Sequence, residues 1–192
     1  MAATLAVVGN PNVGKTALFN ALTGLSQSTG NYAGVTVERK SGRVHLDGLT
    51  IDLIDLPGTY SLAAASPDEM IVTDVLLGQQ TGEQAVDGLV VVLDASNLER
   101  NLYFVSQLIE LEKPFIVALN MMDIAERRGL KIDIDALCQA LGAPVIPICA
   151  HRKVGLPELR RQVAALARAE VPITSVRCTF PPQQVEALQA FM

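Results

Sequence analysis

The sequence predicts an α/β domain built on a doubly wound, six-stranded, mostly parallel sheet with one antiparallel edge strand. Three observations carry this. Apolar runs of strand length alternate with helix-period segments along most of the 192 residues, the pattern of successive βαβ units. Asp47-Gly48 separates two adjacent runs and is a two-residue hairpin signal, so one strand runs against the others. Finally, Gly9-Asn10-Pro11-Asn12-Val13-Gly14-Lys15-Thr16 follows the first apolar run and opens a helix-period segment, which is where a backbone loop cradles phosphate.

In order, the strands are placed at Thr4–Val8, Val37–Leu46, Leu49–Ile54, Gly88–Leu93, Pro114–Leu119 and Val145–Ile148. Each is rich in Val, Ile and Leu and bounded by turn residues. Helices are placed at Lys15–Thr23, Asp68–Leu77, Leu98–Leu111, Asp133–Leu141 and Leu156–Ala169, where apolar residues recur at helical spacing. In such a sheet ligands gather at the carboxyl ends of the strands. Residues 1–171 form the expected domain, and residues 172–192 read as the start of a further helical extension, opened by Pro181-Pro182-Gln183-Gln184.

Composition narrows the class. With 49% apolar residues the chain can bury a full core. A net charge of −5 gives no basic surface for nucleic acid. Cys138, Cys149 and Cys178 lack any paired C-x-x-C spacing and read as small hydrophobes in a reducing compartment. The N-terminus has no basic region of a signal peptide, and runs such as Leu89–Leu93 are far below the ~18 residues of a membrane helix. This stretch is therefore expected to be soluble. His45 and His151 have no Cys or His partner at ligand spacing, so packed or solvated roles are expected for both and tight iron binding is not.

The loops at the predicted carboxyl edge carry the chemistry. Gly9 and Gly14 let the backbone turn its N–H groups inward, Lys15 reaches β- and γ-phosphates, and the Thr16 hydroxyl is a hard ligand for Mg²⁺. Asp55-Leu56-Pro57-Gly58 ends the third strand: Asp55 holds the Mg²⁺ shell, and Gly58 lets an N–H approach the γ-phosphate. Between them, Asn31-Tyr32-Ala33-Gly34-Val35-Thr36 offers Thr36 as a second Mg²⁺ ligand, engaged only with the γ-phosphate present, or else as an ordinary β-branched residue opening a strand. Asn120-Met121-Met122-Asp123 ends the fifth strand. One carboxylate accepts guanine N1–H and N2–H₂ together and rejects adenine by about 10⁴-fold or more. Met121 stands where related motifs have Lys and supplies apolar contact alone. Cys149-Ala150 ends the sixth strand, where related sites carry Ser-Ala and the Ala N–H donates to guanine O6. The expected nucleotide-binding set is Gly9 to Ala17, Gly34, Val35, Thr36, Asp55, Leu56, Pro57, Gly58, Asn120, Met121, Asp123, Cys149 and Ala150.

These five loops in this order resemble those of a P-loop GTPase of the translation-factor-like class. With Asn31 to Lys40, Asp55 to Leu62 and Asp94 to Leu102, the chain more closely resembles the cytosolic G domain of the FeoB ferrous iron transporters over roughly residues 4–170. The resemblance implies GTP and GDP as ligands, Mg²⁺ and K⁺ as cofactors, and a place on the cytoplasmic face of the inner membrane. It also implies a following helical domain, a polytopic membrane region for Fe²⁺ and a small cytosolic accessory protein as partners. K⁺ would be held by the Asn12 side chain and the Gly30 and Tyr32 carbonyls. Catalysis falls to Asn12, Lys15, Thr36 and Gly58, because Thr59 stands where many GTPases have a water-orienting Gln, and intrinsic hydrolysis should be slow. The alternative is a stand-alone GTPase switch of the ribosome-assembly kind, whose marks would be Lys at Met121 and a basic appendage. A P-loop kinase or ATPase would lack Asn120 and Asp123 here.

Overall fold

A computed structural model describes residues 2–24, 27–32, 37–63, 66–80 and 85–177. Among these residues seven strands form one sheet in the order β2-β3-β4-β1-β5-β6-β7. They are β1 (Ala3–Val8), β2 (Gln27–Asn31), β3 (Glu38–Leu46), β4 (Leu49–Asp55), β5 (Gly88–Asp94), β6 (Phe115–Asn120) and β7 (Val145–Pro147). Strands β4, β1, β5, β6 and β7 are parallel, and β2 and β3 are antiparallel. The doubly wound, mostly parallel sheet therefore has seven strands where six were expected.

Strand β2 is the addition, and it displaces β3 from the edge. Its residues Gln27-Ser28-Thr29-Gly30-Asn31 are all exposed, so no apolar alternation marks them. A backbone ladder running from Gln27↔Gly42 to Asn31↔Glu38 makes it a strand. The Asp47-Gly48 turn joins β3 to β4 as expected, with positive φ at both residues.

Among the described residues six α-helices flank the sheet: α1 (Lys15–Thr23), α2 (Pro67–Leu76), α3 (Leu98–Ile109), α4 (Met122–Arg127), α5 (Ile134–Leu141) and α6 (Leu156–Ala167). Helix α4 was absent from the expected set; it is a turn and a half, too short to show a period. Helix α2 begins where Ser66 accepts from the Glu69 N–H, with Pro67 in the first turn.

The strand period of two sorts apolar side chains into two cores. Ala6, Val8, Leu89, Val91, Val117 and Leu119 pack under α2 and α3, while Leu5, Val7, Val90, Val92, Ile116 and Ala118 pack under α1 and α6. Both faces being buried is what lets central strands read as continuous apolar runs. Beyond α6 the chain continues along the domain: Thr174 donates to the Leu141 carbonyl at 2.9 Å, and Arg177 meets Glu112 at 3.0 Å. The Pro181–Gln184 segment lies outside the described residues.

Candidate functional site

The loops after β1, β4, β6 and β7 meet at one sheet edge. After β1 the chain turns through Asn12 at φ 65° and Gly14 at φ 88°. A Cβ on Gly14 would stand 2.4 Å from Asn120 Nδ2, so the position tolerates no side chain. Helix α1 then starts with no side-chain cap and no acidic residue in its first turn. Its first N–H groups and the positive end of its dipole are left for an anion.

Two further loops close on this one. Leu56 N–H donates to the Val7 carbonyl at 3.1 Å, and Thr59 N–H to the Gly9 carbonyl at 3.3 Å. Gly58 is thereby pressed against the phosphate loop, where a Cβ would lie 2.9 Å from Pro11 Cα and 3.1 Å from Lys15 Nζ. A cleft of about 440 Å³ opens here between Lys15, Thr16, Asp55, Gly58, Lys40 and Asp68, within the range of small-ligand sites.

The Thr16 hydroxyl donates to Asp55 Oδ2 at 3.3 Å. Asp55 Oδ1 is buried without a hydrogen-bond partner among the described residues. Burial raises the Asp55 pKa, opposed chiefly by Lys15, and burial lowers that of Lys15, opposed by Asp55. A buried lysine, a hydroxyl and an orphaned carboxylate oxygen are the donor set Mg²⁺ and phosphate would satisfy together. The residues fit the metal.

Thr59 is 1% exposed, and its hydroxyl donates to the Ser61 carbonyl at 2.6 Å and lies 3.2 Å from Glu69 Oε1. Its hydroxyl is committed inward, to Ser61 and Glu69. Asn10 is 1% exposed, and both its amide atoms lack hydrogen-bond partners among the described residues. Gly30 sits in exposed β2 opposite Arg39. Tyr32 is buried against the α2–α3 core, with its N–H on the Val37 carbonyl at 3.1 Å. Gly34, Val35 and Thr36 lie outside the described residues.

On the far side of α1, Asn120 acts as a clip. Its Nδ2 donates to the Val13 carbonyl at 2.9 Å, and its Oδ1 accepts the Ala150 N–H at 3.0 Å, so one buried amide joins three loops. The sequence assigned the Ala150 N–H to guanine O6; here it is engaged by Asn120, because the side chain at the end of β6 reaches across to the loop after β7. Met121 takes a left-handed turn at φ 63° and starts α4, which carries Asp123.

Asp123 Oδ1 accepts from the Cys149 thiol at 3.3 Å, and Oδ2 lies 3.7 Å from His151 Nε2 and 3.5 Å from Arg127. The Cys149 hydrogen bond, followed by the His151 and Arg127 charges, holds the Asp123 carboxyl below the ordinary carboxylate range. Burial, and then the Asp123 bond, push the Cys149 thiol up. Cys149 is therefore a neutral donor to an ionised Asp123, a part Ser could also play. His151 is solvent-exposed, as the solvated reading expected, but it does have a neighbouring thiol where none was expected: Cys149 Sγ lies 3.4 Å from His151 Nδ1, and Asp123 completes the group. The Cys149-x-His151 spacing was the available signal, and Asp123, 26 residues away, gave none.

The phosphate loop, the metal-type carboxylate and the base-type carboxylate at one edge of this sheet define the G domain of a P-loop GTPase. A family model described as Ferrous iron transport protein B matches residues 3–163, and the chain belongs to that family, FeoB. It is 51% identical over 161 residues to the Fe(2+) transporter FeoB of Shigella flexneri, covering 82% of this chain and 20% of that one. It is 47% identical over 171 residues to that of Legionella pneumophila (strain Paris), covering 87% and 22%. The chain thus spans about one fifth of the length of these curated relatives. Among solved structures, the cytosolic domain of L. pneumophila FeoB superposes with a TM-score of 0.85 at 43% identity, covering 98% of this chain and 72% of that one. The G domain of T. maritima FeoB gives 0.79 at 42% identity, covering 87% and 99%. The T. maritima cytosolic domain in a GDP form gives 0.82 at 38% identity, covering 97% and 70%.

Proposed function

We propose that this chain binds GTP and GDP with Mg²⁺ and hydrolyses GTP slowly, with K⁺ stimulation, as the regulatory domain of a ferrous iron membrane transporter. The observation that carries the reading is the orphaned Asp55 Oδ1 beside the Thr16 hydroxyl and the buried Lys15, at the foot of an uncapped helix. The GDP form of the T. maritima relative supports it.

Each residue has a task. The uncapped first turn of α1 and the Lys15 ammonium bind the β- and γ-phosphates; a phosphate anion favours the charged lysine that burial disfavours. Thr16, Asp55 and Thr36 would hold Mg²⁺, which supplies positive charge against that developing on the phosphate oxygens. Gly58 presents its N–H to the γ-phosphate. Asp123 selects guanine over adenine through two adjacent donors, with Met121 as apolar contact and Asn120 bracing the pocket.

Catalysis is slow in this reading because Thr59 is bonded to Ser61 and Glu69 and orients no water. Asn12, Gly30 and Tyr32 would hold K⁺, whose charge lowers the barrier where no arginine does. The downstream helical and membrane regions of the full-length protein, with a small cytosolic accessory protein, would receive the nucleotide signal at the cytoplasmic face of the inner membrane. Among the described residues no helix is long and apolar enough to cross a membrane.

The test is turnover with K⁺ replacing Na⁺ at constant ionic strength. The expected rise is ~10-fold, or about 1.4 kcal/mol of barrier. Asn12→Ala should remove the rise and keep GDP affinity, since the phosphate-binding N–H groups belong to the backbone. Equal wild-type rates in both salts would overturn the K⁺ assignment.

A further inference from the structure

Asp123, Cys149 and His151 bring one carboxylate, one thiol and one imidazole within 4.8 Å of one another, the only such group among the described residues. Sγ lies 3.3 Å from Asp123 Oδ1 and 3.9 Å from His151 Nε2, which is itself 3.7 Å from Asp123 Oδ2. Tetrahedral zinc with metal–sulfur bonds of about 2.3 Å and metal–nitrogen or –oxygen bonds of about 2.1 Å sets its ligands about 3.4–3.6 Å apart. The triangle needs only small rotations to reach that geometry. It is also accessible: the His151 side chain is 65% exposed and Asp123 16%, with Cys149 at the bottom.

We propose that these three side chains form a binding site for a zinc-like divalent transition-metal ion, and that this ion and a guanine nucleotide exclude each other because both require the Asp123 carboxylate. The exclusion rests on the reading of Asp123 as the guanine acceptor. Mixed sulfur, nitrogen and oxygen donors suit Zn²⁺ and Co²⁺ and take Fe²⁺ more weakly. Hard Mg²⁺ prefers the all-oxygen set at Asp55 and Thr16. On binding, the Cys149 thiol loses its proton to solvent, its bond to Asp123 is replaced by a metal–thiolate bond, and Arg127, 73% exposed, swings into water. A fourth position stays open to solvent. The ion would hold the base pocket empty and so couple metal level to nucleotide occupancy.

The nucleotide-free protein, freed of reductant, is titrated with Co²⁺ while the visible d–d bands and the near-ultraviolet thiolate-to-cobalt band are recorded. One ion per chain with tetrahedral intensity and a thiolate band is expected, displaced by Zn²⁺. Cys149→Ser should erase the thiolate band. His151→Ala should weaken binding by at least about tenfold, since even outer-shell partners of a metal cost that much. Unchanged thermal transitions would show both variants folded. Saturating GDP should weaken Co²⁺ binding by about tenfold or more in the same titration. Absence of the thiolate band in the wild type, or its survival in Cys149→Ser, overturns the site. A band indifferent to GDP overturns the exclusion. Asp123→Asn then separates the causes: a shift of base preference toward xanthine leaves the guanine reading standing and only the metal inference fallen, whereas unchanged preference removes Asp123 from the base site.

Discussion

Removing the Asn120 amide should loosen three loops at once. In Asn120→Ala, the Val13 carbonyl loses its 2.9 Å donor and the Ala150 N–H its 3.0 Å acceptor, and both bonds are buried, with Asn120 4% exposed. Each buried group left unpaired costs about 1–3 kcal/mol, so the pair comes to about 4 kcal/mol. For a domain of this size each kcal/mol shifts the midpoint by roughly 2–4 °C, which predicts a fall in Tm of about 12 °C. Asn120→Asp keeps the acceptor for Ala150 but turns a carboxylate oxygen toward the Val13 carbonyl, so it should be no milder. The assay is thermal unfolding of the nucleotide-free protein, paired with the affinity for a fluorescent GDP, which should fall as well because the phosphate and base loops lose their common anchor. A Tm loss below about 3 °C with unchanged GDP affinity would refute the reasoning: water would then be replacing the amide, and the loops would be held by their own backbone contacts.

Other outcomes follow from the same geometry. Asp123→Asn should move base preference from guanine toward xanthine, because the amide can donate to the carbonyl xanthine carries at C2; side-by-side affinities check it. Gly58→Ala places a methyl 2.9 Å from Pro11 Cα and 3.1 Å from Lys15 Nζ, so it should weaken a non-hydrolysable GTP analogue and abolish turnover while sparing GDP; equal effects on both nucleotides would show that the loop, rather than the γ-phosphate position, was disturbed. Burial and the Asp123 bond raise the Cys149 pKa, so at a given pH less of this thiol is thiolate than of a free cysteine. Iodoacetamide labelling of Cys149 near pH 8, read by mass spectrometry, should run slower than for a free thiol and slow further with GDP; labelling at the free-thiol rate would remove the bond to Asp123.

The central strands, the hairpin at Asp47-Gly48 and the loop from Gly9 to Thr16 were legible because their signals are local: a run of β-branched residues, a turn dipeptide, glycines at fixed offsets before a helix. Asp55, Gly58 and Asp123 were singled out the same way, each at or just after the end of an apolar run. Strand β2 was not legible, since Gln27 to Asn31 have no apolar face and are strand only through the backbone of β3. The clip from Asn120 to Val13 spans 107 residues. Neither partner's neighbours encode it; the sheet order β1-β5-β6, which sets the loop after β1 one strand away from the end of β6, does. His151 read alone was an ordinary histidine. Only the parallel pairing of β6 and β7, which brings their carboxyl-end loops side by side, sets Asp123 beside Cys149 and His151, because side-chain chemistry is written in the sequence while the distances between distant side chains are set by strand order and register.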